Sequence, residues 1–165
     1  CDVSGSVGAY ARFMLMFLFS LTEVVSKIRA FVFSSYLGEV TDEFKGSSLE
    51  TAIESALSKY GGGSTDYGHS LSDFVSLCLE DVDKKTTVVI LGDARNNFGP
   101  DKAFLLKTIY ERSKQIYWLN PEGKYRWNTG DSVMNTYSAY CTKVFECGTL
   151  EQLEKVISTL LRTAI

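Results

Sequence analysis

The hydrophobic pattern changes rhythm several times along the chain. From residue 7 to 21 apolar positions are almost continuous, which predicts a helix buried on more than one side. Residues 28–35 (IRAFVFSS) are rich in β-branched and aromatic side chains and predict a strand. Residues 37–44 (LGEVTDEF) read as a second, more polar strand. Only Ser35 and Tyr36 separate the two runs, so a hairpin is expected, with the polar strand at a sheet edge.

Helical spacing returns at residues 48–60, where Leu49, Ile53, Ala56 and Leu57 share a face and Ser47 or Ser48 can cap. Gly61-Gly62-Gly63 ends that helix, and a new one is expected from Tyr67 to Leu79, capped by Ser64, Thr65 or Asp66. The β-branched run 86–91 (TTVVIL) is the mark of a strand buried on both faces of a parallel sheet. A loop at 94–100, a helix at 101–114 with Asp101 in its first turn, and a strand at 115–119 follow. The remainder reads as a polar loop (120–130), a short helix (131–140) that Asp131 is expected to cap, a strand (143–146) and a closing helix (149–164). In that last helix Leu150, Leu153, Val156, Ile157, Leu160 and Leu161 make the apolar stripe.

Strands alternating with helices imply an α/β fold, Rossmann-like and doubly wound: a three-layer α/β/α sandwich whose sheet is mostly parallel with one antiparallel edge strand. The 165 residues suffice for one domain with a real core, and 45% hydrophobic content is ordinary for a globular chain. A net charge of −3 lacks the footprint of a nucleic-acid binder, so no nucleic-acid partner is expected. Cys1, Cys78, Cys141 and Cys147 form no CxxC pair and His69 is the sole histidine, which argues against zinc; the cysteines read as reduced core residues. The apolar run 13–21 is shorter than the roughly 20 residues a membrane span requires, and no membrane partner is expected. Only Cys1 precedes Asp2, so strand one is expected to be truncated and the chain to be an excerpt of a longer protein.

Candidate chemistry gathers in three separated places. Asp2-Val3-Ser4-Gly5-Ser6 sets a carboxylate and two hydroxyls on alternate positions, and a turn at Gly5 lets the oxygens converge. Thr65 lies in a glycine-rich loop that opens a helix, and Asp93 follows a buried strand. In parallel sheets, ligands bind at the carboxyl ends of the strands, where such loops meet. Hard oxygen donors of this kind suit Mg²⁺ or Mn²⁺.

The pattern D-x-S-x-S (Asp2, Ser4, Ser6), Thr65 in GGGSTDYG and Asp93 in VVILGD resembles the von Willebrand factor A domain and its metal-ion-dependent adhesion site. GDARNNFGPD (92–101), WLNPE (118–122) and WNTGDSVM (127–134) resemble the CoxE-like bacterial branch. The resemblance covers essentially the whole chain. It implies hydroxyl ligands from Ser4, Ser6 and Thr65, with Asp2 and Asp93 binding directly or through water, and Asp66 and Asn96 as candidates that orient the ligands. Where many relatives carry glycine after the second aspartate, this chain has Ala94.

A non-catalytic protein-binding module is the function implied: a protein partner supplies an acidic residue to the metal. CoxE-like proteins resemble partners of MoxR-type AAA+ ATPases, which implies a cytoplasmic adaptor in protein remodelling or metallocofactor maturation. Two alternatives are a Mg²⁺-dependent phosphatase of haloacid-dehalogenase type and an extracellular adhesion domain. Against the first, Ser4 stands where such phosphatases place a general acid, and Asn97 where they place a further acid. Against the second stand the absence of a disulfide pattern and the CoxE-like motifs. Gly130-Asp131-Ser132 lacks a positioned base for a nucleophilic serine. His69 reads as a surface or ligand-orienting group, Trp118 and Trp127 as core and loop packing, and Asn96-Asn97-Phe98 as an Asn-rich turn, with contact to a partner as the other reading.

Overall fold

The computed structural model of the chain describes residues 1–164, with side chains through residue 160. A 3-10 turn (Gly5–Val7) leads into helix α1 (Gly8–Val24). Strands β1 (Phe31–Phe33) and β2 (Leu37–Glu39) precede α2 (Thr41–Lys45), α3 (Leu49–Tyr60) and α4 (Tyr67–Cys78). Then come β3 (Thr87–Leu91), α5 (Ala103–Arg112), β4 (Gln115–Asn120), α6 (Met134–Ser138), β5 (Lys143–Glu146) and α7 (Leu150–Ala164).

β3, β4 and β5 form a parallel sheet in that order, and β1 and β2 an antiparallel pair, with Phe31 opposite Glu39 and Phe33 opposite Leu37. Residues 1–3 join the two. Asp2 bridges Phe33 in the parallel sense, and its N–H donates to the Leu91 carbonyl at 2.8 Å.

The strands bury both faces, as their near-continuous apolar runs require. Tyr117 and Leu119 of β4 pack with α1, α2, α3 and α7, while Ile116 and Trp118 pack with α4, α5 and α6. Alternation along one strand thus builds two cores and three layers. The fold class read from the sequence is the one observed.

Several boundaries differ from expectation. The strand expected over 37–44 stops at Glu39, and its second half is α2. Asp42 and Glu43 favour a helix N-terminus, and helical geometry turns Phe44 fully into the core against Phe19, ring centroids 5.7 Å apart. Asp101 lies ahead of α5 and accepts the Ala103 N–H at 2.8 Å. The helix expected over 131–140 is confined to α6, and Asp131 turns to Arg95 and Asn97 instead of capping it. Gly5–Val24 is long and apolar enough, by length and composition alone, to cross a membrane, which the shorter run 13–21 did not suggest. Here Ala11, Met14, Leu15, Phe17 and Leu18 pack into the core. Leu49 and Leu150 are exposed rather than part of their buried stripes, and the side chain of Leu161 lies outside the described residues. All four cysteines are free.

Candidate metal site

Asp2 lies at the sheet's carboxyl edge because residues 1–3 run extended between β1 and β3. The chain then turns at Gly5, whose N–H donates to the Gly63 carbonyl at 3.2 Å. That contact ties the first loop to the glycine loop before α4. Gly62 adopts a φ of 73°, a left-handed conformation that costs glycine little, and its N–H donates to the Val3 carbonyl at 3.2 Å. Thr65 follows, and Asp66 fixes the start of α4 by accepting the His69 N–H at 2.7 Å.

Three hydroxyls thereby close a triangle. Thr65 Oγ1 and Ser4 Oγ are 2.7 Å apart, Ser4 and Ser6 Oγ 3.1 Å, and Ser6 Oγ and Thr65 Oγ1 3.4 Å. Asp2 and Asp93 are both buried beside them. Asp2 spends its oxygens on the protein: Oδ1 accepts the Ser4 N–H and Oδ2 the Tyr67 hydroxyl, each at 2.8 Å. Asp93 spends only one, on the Arg95 N–H at 2.9 Å. Its Oδ2 is buried with no hydrogen-bond partner, an arrangement that is costly unless something else binds there.

Electrostatics carry the same imprint. Burial pushes the Asp93 carboxyl up to about 7 and the negative charge of Asp2 adds to the rise, while the Arg95 N–H pulls the other way. Burial also raises Asp2, against the bonds from Ser4 and Tyr67. Two carboxylates crowded in a dry site favour a compensating cation. Among the described residues no three His, Cys, Asp or Glu side chains gather as a metal cluster. The donor set here is two carboxylates and three hydroxyls, with one carboxylate oxygen left over, and it fits a hard divalent cation.

The sequence reading brought Asp2, Ser4, Ser6, Thr65 and Asp93 together, and the structure places them in contact or side by side. Asn96 sits where it can brace them: its Oδ1 accepts the Tyr67 N–H at 2.8 Å. The Asp66 side chain caps α4 instead, accepting the His69 N–H. His69 is exposed and pairs with Asp73 at 3.4 Å. Trp118 is fully buried and donates to the Gly92 carbonyl, and Trp127 donates to the Glu122 carbonyl, as packing residues do.

Other residues had gone unread. Tyr67 stacks among Phe33, Trp118 and Tyr137 and delivers its hydroxyl to Asp2. Gly92 makes that reach possible, since a Cβ there would lie 2.0 Å from the Tyr67 hydroxyl. Asn120 and Ser132 donate to the Asp93 carbonyl at 3.2 and 3.3 Å. Arg95 forks onto Glu122 at 3.1 and 2.8 Å and reaches Asp131 at 3.0 Å. The available signal was an arginine two residues past the site aspartate, with acids near the next strand end. Nothing in the spacing told which acids it would meet.

An α/β sheet whose carboxyl-end loops gather two aspartates and three hydroxyls defines a von Willebrand factor type A domain, and solved structures bear out the fold. The chain superposes on a von Willebrand factor type A protein from Catenulispora acidiphila (TM-score 0.62, 14% identity, 99% of this chain and 40% of that one). It superposes equally on proximal thread matrix protein 1 of the mussel byssus (TM-score 0.63, 16% identity, 99% and 43%). The chain thus spans less than half the length of either. No curated protein matches it. The family model described as "VWA domain containing CoxE-like protein" matches residues 1–156, and the chain belongs to that family.

Proposed function

We propose that this domain is a non-catalytic, metal-dependent protein-binding module. Ser4, Ser6 and Thr65, with Asp2 and Asp93, would hold Mg²⁺ or Mn²⁺. The ion would supply a Lewis-acidic position for a carboxylate from a protein partner, since Mg²⁺ commonly keeps positions open to water or another ligand. The observation that carries this reading is the buried, unpartnered Oδ2 of Asp93 beside the hydroxyl triangle. The protein's part is to hold the donors. Ser4 and Tyr67 fix Asp2, Arg95 fixes one oxygen of Asp93, and the sheet edge fixes all three loops. His69 pairs with Asp73 rather than with a hydroxyl, which favours binding over nucleophilic catalysis.

Membership of the CoxE-like family supports a finer version. The domain would be a cytoplasmic adaptor for a MoxR-type AAA+ ATPase in protein remodelling or metallocofactor maturation, with the ATPase or its client supplying the carboxylate.

Thermal unfolding in EDTA, Mg²⁺ and Mn²⁺ tests the site. A ligand at about 100 times its Kd adds about 2.7 kcal/mol, several degrees in a domain of this size. The rise is expected in wild type and absent in Asp93→Ala. An equal response of both proteins would overturn the site.

A further inference from the structure

Phe98 is 84% exposed on the loop after Asp93. It follows Asn97, and both are left-handed, with φ of 57° and 48°. Asparagine adopts that conformation readily, but a bulky aromatic rarely does, and Phe98 keeps it only where the surroundings hold it. Here they do. Asn97 Nδ2 donates to Ser64 Oγ at 2.8 Å, and its N–H donates to Asp131 Oδ2 at 3.0 Å. Beneath, Asn96 Nδ2 donates to the Gly99 carbonyl and the Gly99 N–H returns to the Asn96 carbonyl, each at 2.8 Å. The Arg95 fork on Glu122 and Asp131 anchors the loop's base. A loop tied this firmly has no slack, yet it lifts a large apolar ring into water. The tie to Ser64, next to Thr65, holds the Asn97–Phe98 turn against the loop that carries Thr65.

We infer that Phe98 is the specificity-determining contact of the binding face. The partner is a protein segment that carries an acidic residue for the site together with a large apolar side chain that covers the Phe98 ring. Carboxylate alone is common on protein surfaces, so a metal-bridged contact discriminates poorly by itself. An adjacent apolar anchor supplies the discrimination, because aromatic anchors at interface centres carry much of the binding energy. The inference rests on the metal-bridged reading proposed above.

The test is a displayed library of random linear peptides. It is selected on immobilised wild type, Asp93→Ala, Phe98→Ala and Phe98→Leu, in Mg²⁺ and in EDTA, with the affinity of enriched peptides then measured in solution. Wild type in Mg²⁺ is expected to enrich sequences with an acidic residue accompanied by a large apolar one. Phe98→Ala should keep the wild-type unfolding temperature and Mg²⁺ response but weaken the enriched peptides by about tenfold or more, a typical loss for truncating an aromatic anchor. Phe98→Leu should restore part of the affinity. Equal affinity in wild type and Phe98→Ala, a consensus without an apolar position, or no enriched sequence overturns the inference. So does a concentration-dependent dimer abolished by Phe98→Ala, which would assign the ring to a second copy. Binding that ignores EDTA and Asp93→Ala overturns the metal bridge instead, and leaves the Phe98 comparison to be read by itself.

Discussion

The Asp93 carboxyl ionises near 3.8 when unfolded and is held at about 7 when folded, burial being the main cause. Between those values the folded state keeps a proton that the unfolded state gives up. Stability of the metal-free protein therefore falls as pH rises from about 4 to about 7, by on the order of 4 kcal/mol if Asp93 alone is counted. Burial raises Asp2 as well, so its contribution has the same sign. The stabilisation lost by Asp93→Asn should change accordingly: in EDTA the variant gains on wild type as pH rises through that window. Mg²⁺ should reverse the trend, stabilising wild type more near neutral pH than near about pH 5, because the cation takes the ionised carboxylate. Unfolding temperatures across pH, with and without Mg²⁺, check both. Parallel curves for wild type and variant would show that Asp93 does not titrate in this range. The five oxygen-bearing residues were legible because their types and spacing are local facts. Tyr67 was not, because an aromatic in a first helical turn reads the same whether its hydroxyl meets water or Asp2.

Among the elements, the loop after β3 is the one the sequence described least. Residues 94–100 read as a loop with an Asn-rich turn at 96–98, and Arg95 ties that loop to Glu122 and Asp131. Its side chain and that of Glu122 are only 14% and 8% exposed. Removing one member of a largely buried pair leaves the other's charge uncompensated. Arg95→Met should destabilise the fold by about 2–3 kcal/mol, and Arg95→Met with Glu122→Gln should recover part of that loss. Urea unfolding measures it, and equal stability of Arg95→Met and wild type would show the fork to be incidental. The strand expected over 37–44 gives way to α2 after Glu39. Alternating polarity over a few residues fits an edge strand or one helical turn equally. What decided it was the core space that Phe44 fills.

At the scale of the molecule, the candidate site spans three loops that the sheet holds side by side. A cation there would link residues 2–6, 62–66 and 92–96 at once. Mg²⁺ should therefore slow amide hydrogen exchange in all three segments together, and fail to do so in Asp93→Ala. Protection confined to one segment would mean the ion sits elsewhere. The same architecture explains the long apolar helix α1. Gly5–Val24 passes a membrane test by composition, yet Leu15 is fully buried and Met14 nearly so under the sheet.

The sequence alone determined most of the order of elements, the parallel sheet and which five oxygen-bearing residues stand in the loops at the sheet's carboxyl edge. Periodicity, β-branched runs and side-chain chemistry are properties of short windows. Tertiary structure decided which side chains would meet: Tyr67 with Asp2, Arg95 with Glu122 and Asp131, and Phe98 with solvent. It also decided that one oxygen of Asp93 would be left without a partner. Those outcomes depend on the packing of strands and loops far apart along the chain, where the free energy of burial overrides local preference.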